Sequence, residues 1–143
     1  FAAMRLAKVA VEQNELDIAL EELRWALDNV SEMHLETTIR VRLSRVHMGL
    51  QDPTSALTLL VDHQPASGQV ASFEEAKGDI FHFLGDLGQA REAYQKALEN
   101  MSDKVKNPIL EFKLADLPLS ASPTQELLKG PGEIKEVTED DAV

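Results

Sequence analysis

The chain repeats a short pattern of small and apolar residues along its length. Residues 15–27 align without a gap on residues 86–98. Five aligned pairs are identical: Leu16 and Leu87, Ala19 and Ala90, Glu21 and Glu92, Ala26 and Ala97, Leu27 and Leu98. Ala56 marks a copy between them, 37 residues after Ala19 and 34 residues before Ala90. Repetition at this spacing restricts the fold to an array of like units stacked side by side.

Each copy has the spacing of helices. Leu16, Leu20, Leu23 and Leu27 recur three or four residues apart, which places them on one helical face. The second copy begins at Asp52-Pro53, a capping residue followed by the residue favoured at the first helical position. Hydrophobic residues make up 43% of the chain but aromatic residues only 5%, which favours packed helices over sheets. We therefore predict an all-α fold.

The repeat length predicts a tetratricopeptide-like α-solenoid of three helical hairpins and a C-terminal capping helix. We place the repeat domain at residues 1–117, with hairpins at about 1–30, 32–63 and 68–101 and the capping helix at 108–117. Each hairpin buries its apolar face only against its neighbours, so three repeats are about the minimum for a stable array. Residues 118–143 contain Pro, Gly and many acids and are predicted to be a tail.

The third copy carries the repeat pattern most fully. Small residues at Gly78 and Ala90 would let two helices approach, while Phe81 and Tyr94 would fill the space between them. The corresponding positions of the other copies are Ala7, Ala10, Ala19, Leu23 and Ala26, and Ser44, His47, Ala56, Leu60 and His63. The usual Trp position instead holds Ala3, Arg40 and Glu74. A generic array of helical hairpins therefore remains an alternative.

The sequence contains no recognisable pattern for catalysis or for a cofactor. There is no cysteine, and the four histidines have no metal-ligand spacing. Asp79 and His82 lie three residues apart on one predicted helix, and we interpret them as a solvated polar pair. With 14 basic and 25 acidic residues the net charge is −11, which disfavours nucleic acid and anionic lipid as partners. We predict a non-enzymatic protein without cofactor or metal.

A concave surface remains as the candidate binding site. In a helical array of this kind it is lined by one face of each first helix. Met residues interleaved with charges suit an extended polypeptide, although any helix has some exposed face and that simpler reading stays open. We expect a basic half and an acidic half. The predicted groove residues are Met4, Lys8, Val11, Val41, Arg45, Met48, Glu75, Asp79, His82 and Phe83.

Several segments resemble one family of bacterial repeat proteins. They are Asn14-Glu15-Leu16, Leu35, residues 39–46 with the run Arg42-Leu43-Ser44-Arg45-Val46, Ala56-Leu57, Lys77-Gly78-Asp79 and residues 85–91. On these segments residues 1–117 resemble the periplasmic tetratricopeptide domain of the YfgM family, the ancillary subunit of the Sec translocon.

The resemblance implies a non-enzymatic partner of the SecYEG translocon, a PpiD-type chaperone and translocating polypeptides. It also implies the periplasmic side of the bacterial inner membrane, with attachment only through an N-terminal membrane helix that this chain lacks. A second hypothesis is a soluble tetratricopeptide adaptor that grips the carboxylate end of a peptide, for which Lys8 and Arg45 are the candidate cations.

Overall fold

The computed structural model describes residues 1–102 and 106–118, and within these ranges it contains seven α-helices and no strand. The helices are α1 (Ala2–Glu12), α2 (Leu16–Asp28), α3 (Met33–Gly49), α4 (Pro53–Val61), α5 (Val70–Leu84), α6 (Leu87–Glu99) and α7 (Pro108–Asp116). The pairs α1/α2, α3/α4 and α5/α6 form hairpins, and α7 packs on α6. The predicted solenoid of three hairpins and a capping helix is confirmed. The predicted tail, apart from Pro118, lies outside the described residues.

Equivalent positions of the three hairpins hold a small residue on the first helix and a larger residue on the second. All six residues are buried: Ala7 and Leu23, Ser44 and Leu60, Gly78 and Tyr94. The third pair leaves no room for a side chain on the first helix, because a Cβ atom added to Gly78 would lie 2.4 Å from the Tyr94 ring. Tyr94 is the largest of the three partners, and it therefore requires glycine opposite it.

The turn inside each hairpin has the same backbone conformation in all three repeats. Asn14, Gln51 and Gly85 have φ values of 60°, 60° and 80°. The next residue donates its backbone N–H to a carbonyl five positions back, with lengths of 2.8 to 2.9 Å. This arrangement is the left-handed helix cap that usually carries glycine. Gln51 adopts it at a steric cost that glycine avoids.

Each first helix after α1 covers the hairpin before it with a stripe of apolar residues. On α3 the stripe is Ile39, Leu43 and Val46, all at most 3% exposed and packed against α1 and α2. At α7 it is Leu110 and, directly after the helix, Leu117, which both pack with α6. Helix α7 thus occupies the place of the first helix of a fourth repeat. Three core clusters result, one at each junction between successive units.

We expect Gly78→Ala to lower the free energy of unfolding by about 1–3 kcal/mol, because the new methyl group collides with the Tyr94 ring. In the background of Tyr94→Leu, which recreates the Ala7 and Leu23 pairing, the same substitution should cost much less. Urea denaturation of the four proteins measures this difference. Gly88→Ala is the control, since no neighbouring backbone or ring crowds that position. Equal costs of Gly78→Ala in both backgrounds would contradict the packing argument.

Replacing Gln51 by Gly should raise the free energy of unfolding by up to about 1 kcal/mol, because glycine adopts a positive φ without steric cost. The reciprocal change Gly85→Ala should lower it by about 1 kcal/mol. Gln51→Ala is the matched control and should be close to neutral, because both side chains carry the same backbone strain. Thermal and urea unfolding measure all three, and a destabilised Gln51→Gly protein would refute the explanation.

Candidate functional site

Four of the predicted groove residues meet around one cavity between α1 and α3. Met4, Lys8 and Val11 line it from α1 and Arg45 lines it from α3, and its volume is about 390 Å³. Its remaining wall residues are Ala7, Glu12, Leu16, Leu23, Arg42 and Val46. Arg42 was not among the predicted residues. Its position three residues before Arg45, on the same helical face, was the sequence signal that could have found it.

The cavity combines an apolar floor with a positively charged rim. Leu23 and Val46 in its floor are 1% and 3% exposed. Lys8 lies 3.7 Å from Glu12, but both side chains are well exposed, so this pair contributes little to stability. Arg42 and Arg45 are exposed and form no ion pair with any residue of 1–102 or 106–118. Two guanidinium groups are therefore available at the mouth of an apolar hollow.

Two predicted groove residues pack into the core instead. Val41 is 5% exposed and belongs to the cluster that joins α3, α4 and α5. Met48 is partly buried against the same cluster. Val41 and Met48 are covered because α5 packs against this part of α3, with Ala76 of α5 in the same cluster. The middle of the concave face is thus occupied by the packing of α5 against α3.

The predicted acidic part of the groove is paired with a lysine of the same chain. Lys113 of α7 donates hydrogen bonds of 3.0 Å to Glu75 Oε1 and 3.0 Å to Asp79 Oδ2. The Tyr94 hydroxyl donates to Asp79 Oδ1 at 2.8 Å. We call Glu75, Asp79, Tyr94 and Lys113 the α7 network. Asp79 is therefore engaged by α7 and α6, and it is a structural anchor for the capping helix.

His82 and Phe83 lie beside this network on the exposed surface, where 53% of Phe83 is accessible. No group of three His, Asp or Glu side chains in residues 1–102 and 106–118 is placed to hold a metal ion. Within the same ranges no helix is both long and apolar enough to cross a bilayer.

Two members of the α7 network, Tyr94 and Lys113, have pKa values above their ordinary ones. Burial raises the pKa of the Tyr94 hydroxyl, and its hydrogen bond to Asp79 raises it further. Burial by itself would lower the pKa of Lys113, but the hydrogen bonds and charges of Asp79 and Glu75 outweigh it and raise the pKa. Both groups consequently bind their protons more tightly in the folded protein than in the unfolded chain.

We expect Lys113→Met to lower the free energy of unfolding by about 1 kcal/mol at neutral pH, a modest value because the network is partly exposed. The stability that Tyr94 and Lys113 contribute through their raised pKa values is complete below about pH 10 and is lost as the pH rises further. The alkaline loss should therefore be shallower in Lys113→Met. Urea denaturation at pH 7 and above pH 10 measures both effects, with Lys96→Met as the exposed control. An unchanged stability and pH profile would contradict the role of Lys113.

Comparison with known proteins gives one family and two curated relatives. Residues 1–119 match the tetratricopeptide repeat-like domain family. A protein of Escherichia coli K12 named ancillary SecYEG translocon subunit is 28% identical over 116 residues, which cover 81% of this chain and 56% of the relative. A protein of the same name from Buchnera aphidicola is 27% identical over 115 residues, covering 80% and 59%. No solved structure matches the chain significantly.

The chain thus spans little more than half the length of these relatives. Their names confirm the resemblance inferred from the run around Arg42 to Val46 and from the turn segments. The family match covers the three hairpins and the capping helix, and it extends over far more than half of the chain. This protein belongs to the tetratricopeptide repeat-like domain family.

Proposed function

We propose that this chain is a non-enzymatic protein-binding domain of an ancillary Sec translocon subunit. In this proposal it lies on the periplasmic side of the bacterial inner membrane and links SecYEG to a PpiD-type chaperone that receives translocating polypeptides. The names of the two relatives support the translocon assignment. The observation that carries the binding role is the cavity between α1 and α3.

The cavity has the properties of a polypeptide-binding surface. Its volume of about 390 Å³ falls in the range of about 300–1,000 Å³ that is common for ligand clefts. Met4 at its wall can adapt to side chains of different shape, since methionine has an unbranched and flexible side chain. Arg42 and Arg45 add charged groups that orient a ligand and that are enriched at protein interfaces.

The arrangement around Asp79 supports a binding role over a catalytic one. Asp79, which lies near His82 in sequence, is the carboxylate that a catalytic reading would require. Its oxygens accept hydrogen bonds from Tyr94 and Lys113, which occupy it in the anchoring of α7. The family and the names of the relatives point to an adaptor.

The second candidate function is a soluble adaptor that binds the carboxylate end of a peptide. One observation favours it: Lys8 and Arg45, the two cations predicted for this purpose, line the same cavity, and Arg42 adds a third. Three cations around an apolar hollow match a terminal carboxylate with an apolar last residue.

Recovery of partners from inner membranes tests the leading proposal. The membrane-tethered full-length protein should recover SecYEG and a PpiD-type chaperone, and Arg42→Glu with Arg45→Glu should reduce that recovery about tenfold, or ~1.4 kcal/mol of binding free energy. Arg5→Glu is the matched control, because Arg5 is exposed on α1 but does not line the cavity.

Failure of the unaltered protein to recover either partner would sink the translocon proposal. Equal recovery by the Arg42→Glu and Arg45→Glu protein would show that the cavity does not bind these partners. Peptides with a free and an amidated carboxyl end separate the two functions. The adaptor hypothesis requires weaker binding of the amidated peptide, whereas the translocon proposal requires no difference.

A further inference from the structure

The charge around the cavity is opposite to that of the chain as a whole. The chain carries a net charge of −11, yet the cavity is lined by Lys8, Arg42 and Arg45 against one acid, Glu12. Such a positive site on an acidic protein attracts negatively charged segments, and the attraction is strongest for a segment attached to the same molecule.

The complementary segment is present in the chain. Residues 133–141 read Glu-Ile-Lys-Glu-Val-Thr-Glu-Asp-Asp, with five acids, one lysine and two apolar residues, Ile134 and Val137. The preceding residues 119–132 contain one acid and one lysine and are neutral in sum. The net charge of the segment after α7 is thus concentrated in nine residues that also carry apolar side chains. This segment lies beyond the family match, which ends at residue 119.

The chain leaves α7 at the edge of the solenoid where the cavity lies. Arg91, near the start of α6, donates hydrogen bonds to the carbonyls of Leu117 and Pro118. The cavity includes Leu16, the first residue of α2, and Glu12, the last residue of α1. Helices α2 and α6 hold the same place in their repeats, so their first turns lie at the same edge of the array.

The distance between the two places is within reach. Helix α7 is separated from α1 by three steps between neighbouring first helices. Directly packed helices lie about 8–10 Å apart, so the three steps amount to at least roughly 30 Å. Residues 119–132 can span up to about 46 Å when extended at about 3.3 Å per residue. The acidic segment can therefore reach the cavity of its own molecule without any rearrangement of the helices.

We propose that residues 133–141 bind the cavity between α1 and α3 in the same molecule. Ile134 and Val137 pack against the floor formed by Leu23 and Val46, and the carboxylates face the cations of the rim. The inference rests on the proposed function in one respect: residues 133–141 would compete with protein partners for the same cavity. A partner then has to displace a tethered segment whose effective concentration is on the order of millimolar.

A spin label on the segment tests this directly in the full chain. The protein has no cysteine, so Ala142→Cys provides a single attachment site for a nitroxide. We expect paramagnetic loss of the methyl signals of Met4, Val11 and Val46, with the signal of Val61 at the end of α4 retained. Arg42→Gln with Arg45→Gln should abolish the loss, and Arg5→Gln should not. Circular dichroism checks that these exposed substitutions leave the helices intact.

Three results would overturn the proposal. The first is the absence of selective signal loss, and the second is a loss that persists in Arg42→Gln with Arg45→Gln. The third comes from a mixture of spin-labelled protein without isotopes and isotope-labelled protein without the spin label. The proposal predicts a weaker signal loss in that mixture than in the protein that carries both the spin label and the isotopes. An equally strong loss would show that the bound segment comes from a second copy.

A second variant separates this inference from the proposed function. Glu133→Gln with Glu136→Gln and Glu139→Gln weakens the segment and leaves the cavity unaltered. It should recover more translocon or chaperone than the unaltered protein, and unchanged recovery would refute competition by the segment. If neither protein recovers a partner, the proposed function fails, while the spin-label result still decides whether residues 133–141 occupy the cavity.

Discussion

The structure depends on the close approach of two helices at small residues. Ala19, Ala56 and Ala90 are completely buried at equivalent positions of the three second helices. The first helices carry Ala7, Ser44 and Gly78 at equivalent positions, and the Ser44 hydroxyl donates a hydrogen bond to the Val41 carbonyl of its own helix at 2.8 Å. Larger side chains at these positions would separate the helices and remove the surface on which the next hairpin packs. The stacking of the whole array follows from this contact.

The three junctions of the concave face differ in charge and polarity, because one equivalent position of the first helices holds a different residue at each junction. That position holds Arg42 on α3, Ala76 on α5 and Lys113 on α7. Arg42 leaves a positively charged cavity at the first junction. Ala76 packs in one cluster with Val41 at the second, and Lys113 forms ion pairs with two carboxylates at the third. A single fold thus produces an open site, a packed contact and a structural ion network in succession.

This division supports a functional division along the array. The first junction has exposed cations over an apolar floor, and it carries both the proposed partner binding and the proposed contact with residues 133–141. The third junction holds α7 in place, since Leu110 and Leu117 cover the apolar surface of α6. The proposed binding and the anchoring of α7 therefore lie at different ends of the array.

The sequence by itself determined the helices, the three repeats and the capping helix, because these follow from periodic apolar spacing, small residues and local capping. The left-handed turns at Asn14, Gln51 and Gly85 recur at the repeat spacings of 37 and 34 residues. Only the tertiary structure decided which groove residues are open. Glu75 and Asp79 read as free acids along α5, yet their partner Lys113 lies 38 and 34 residues away. Val41 holds the position in the second repeat that Met4 holds in the first, but Val41 is covered by α5. Side-chain exposure and pairing of this kind depend on where neighbouring helices lie, and a pattern within one helix does not contain that information.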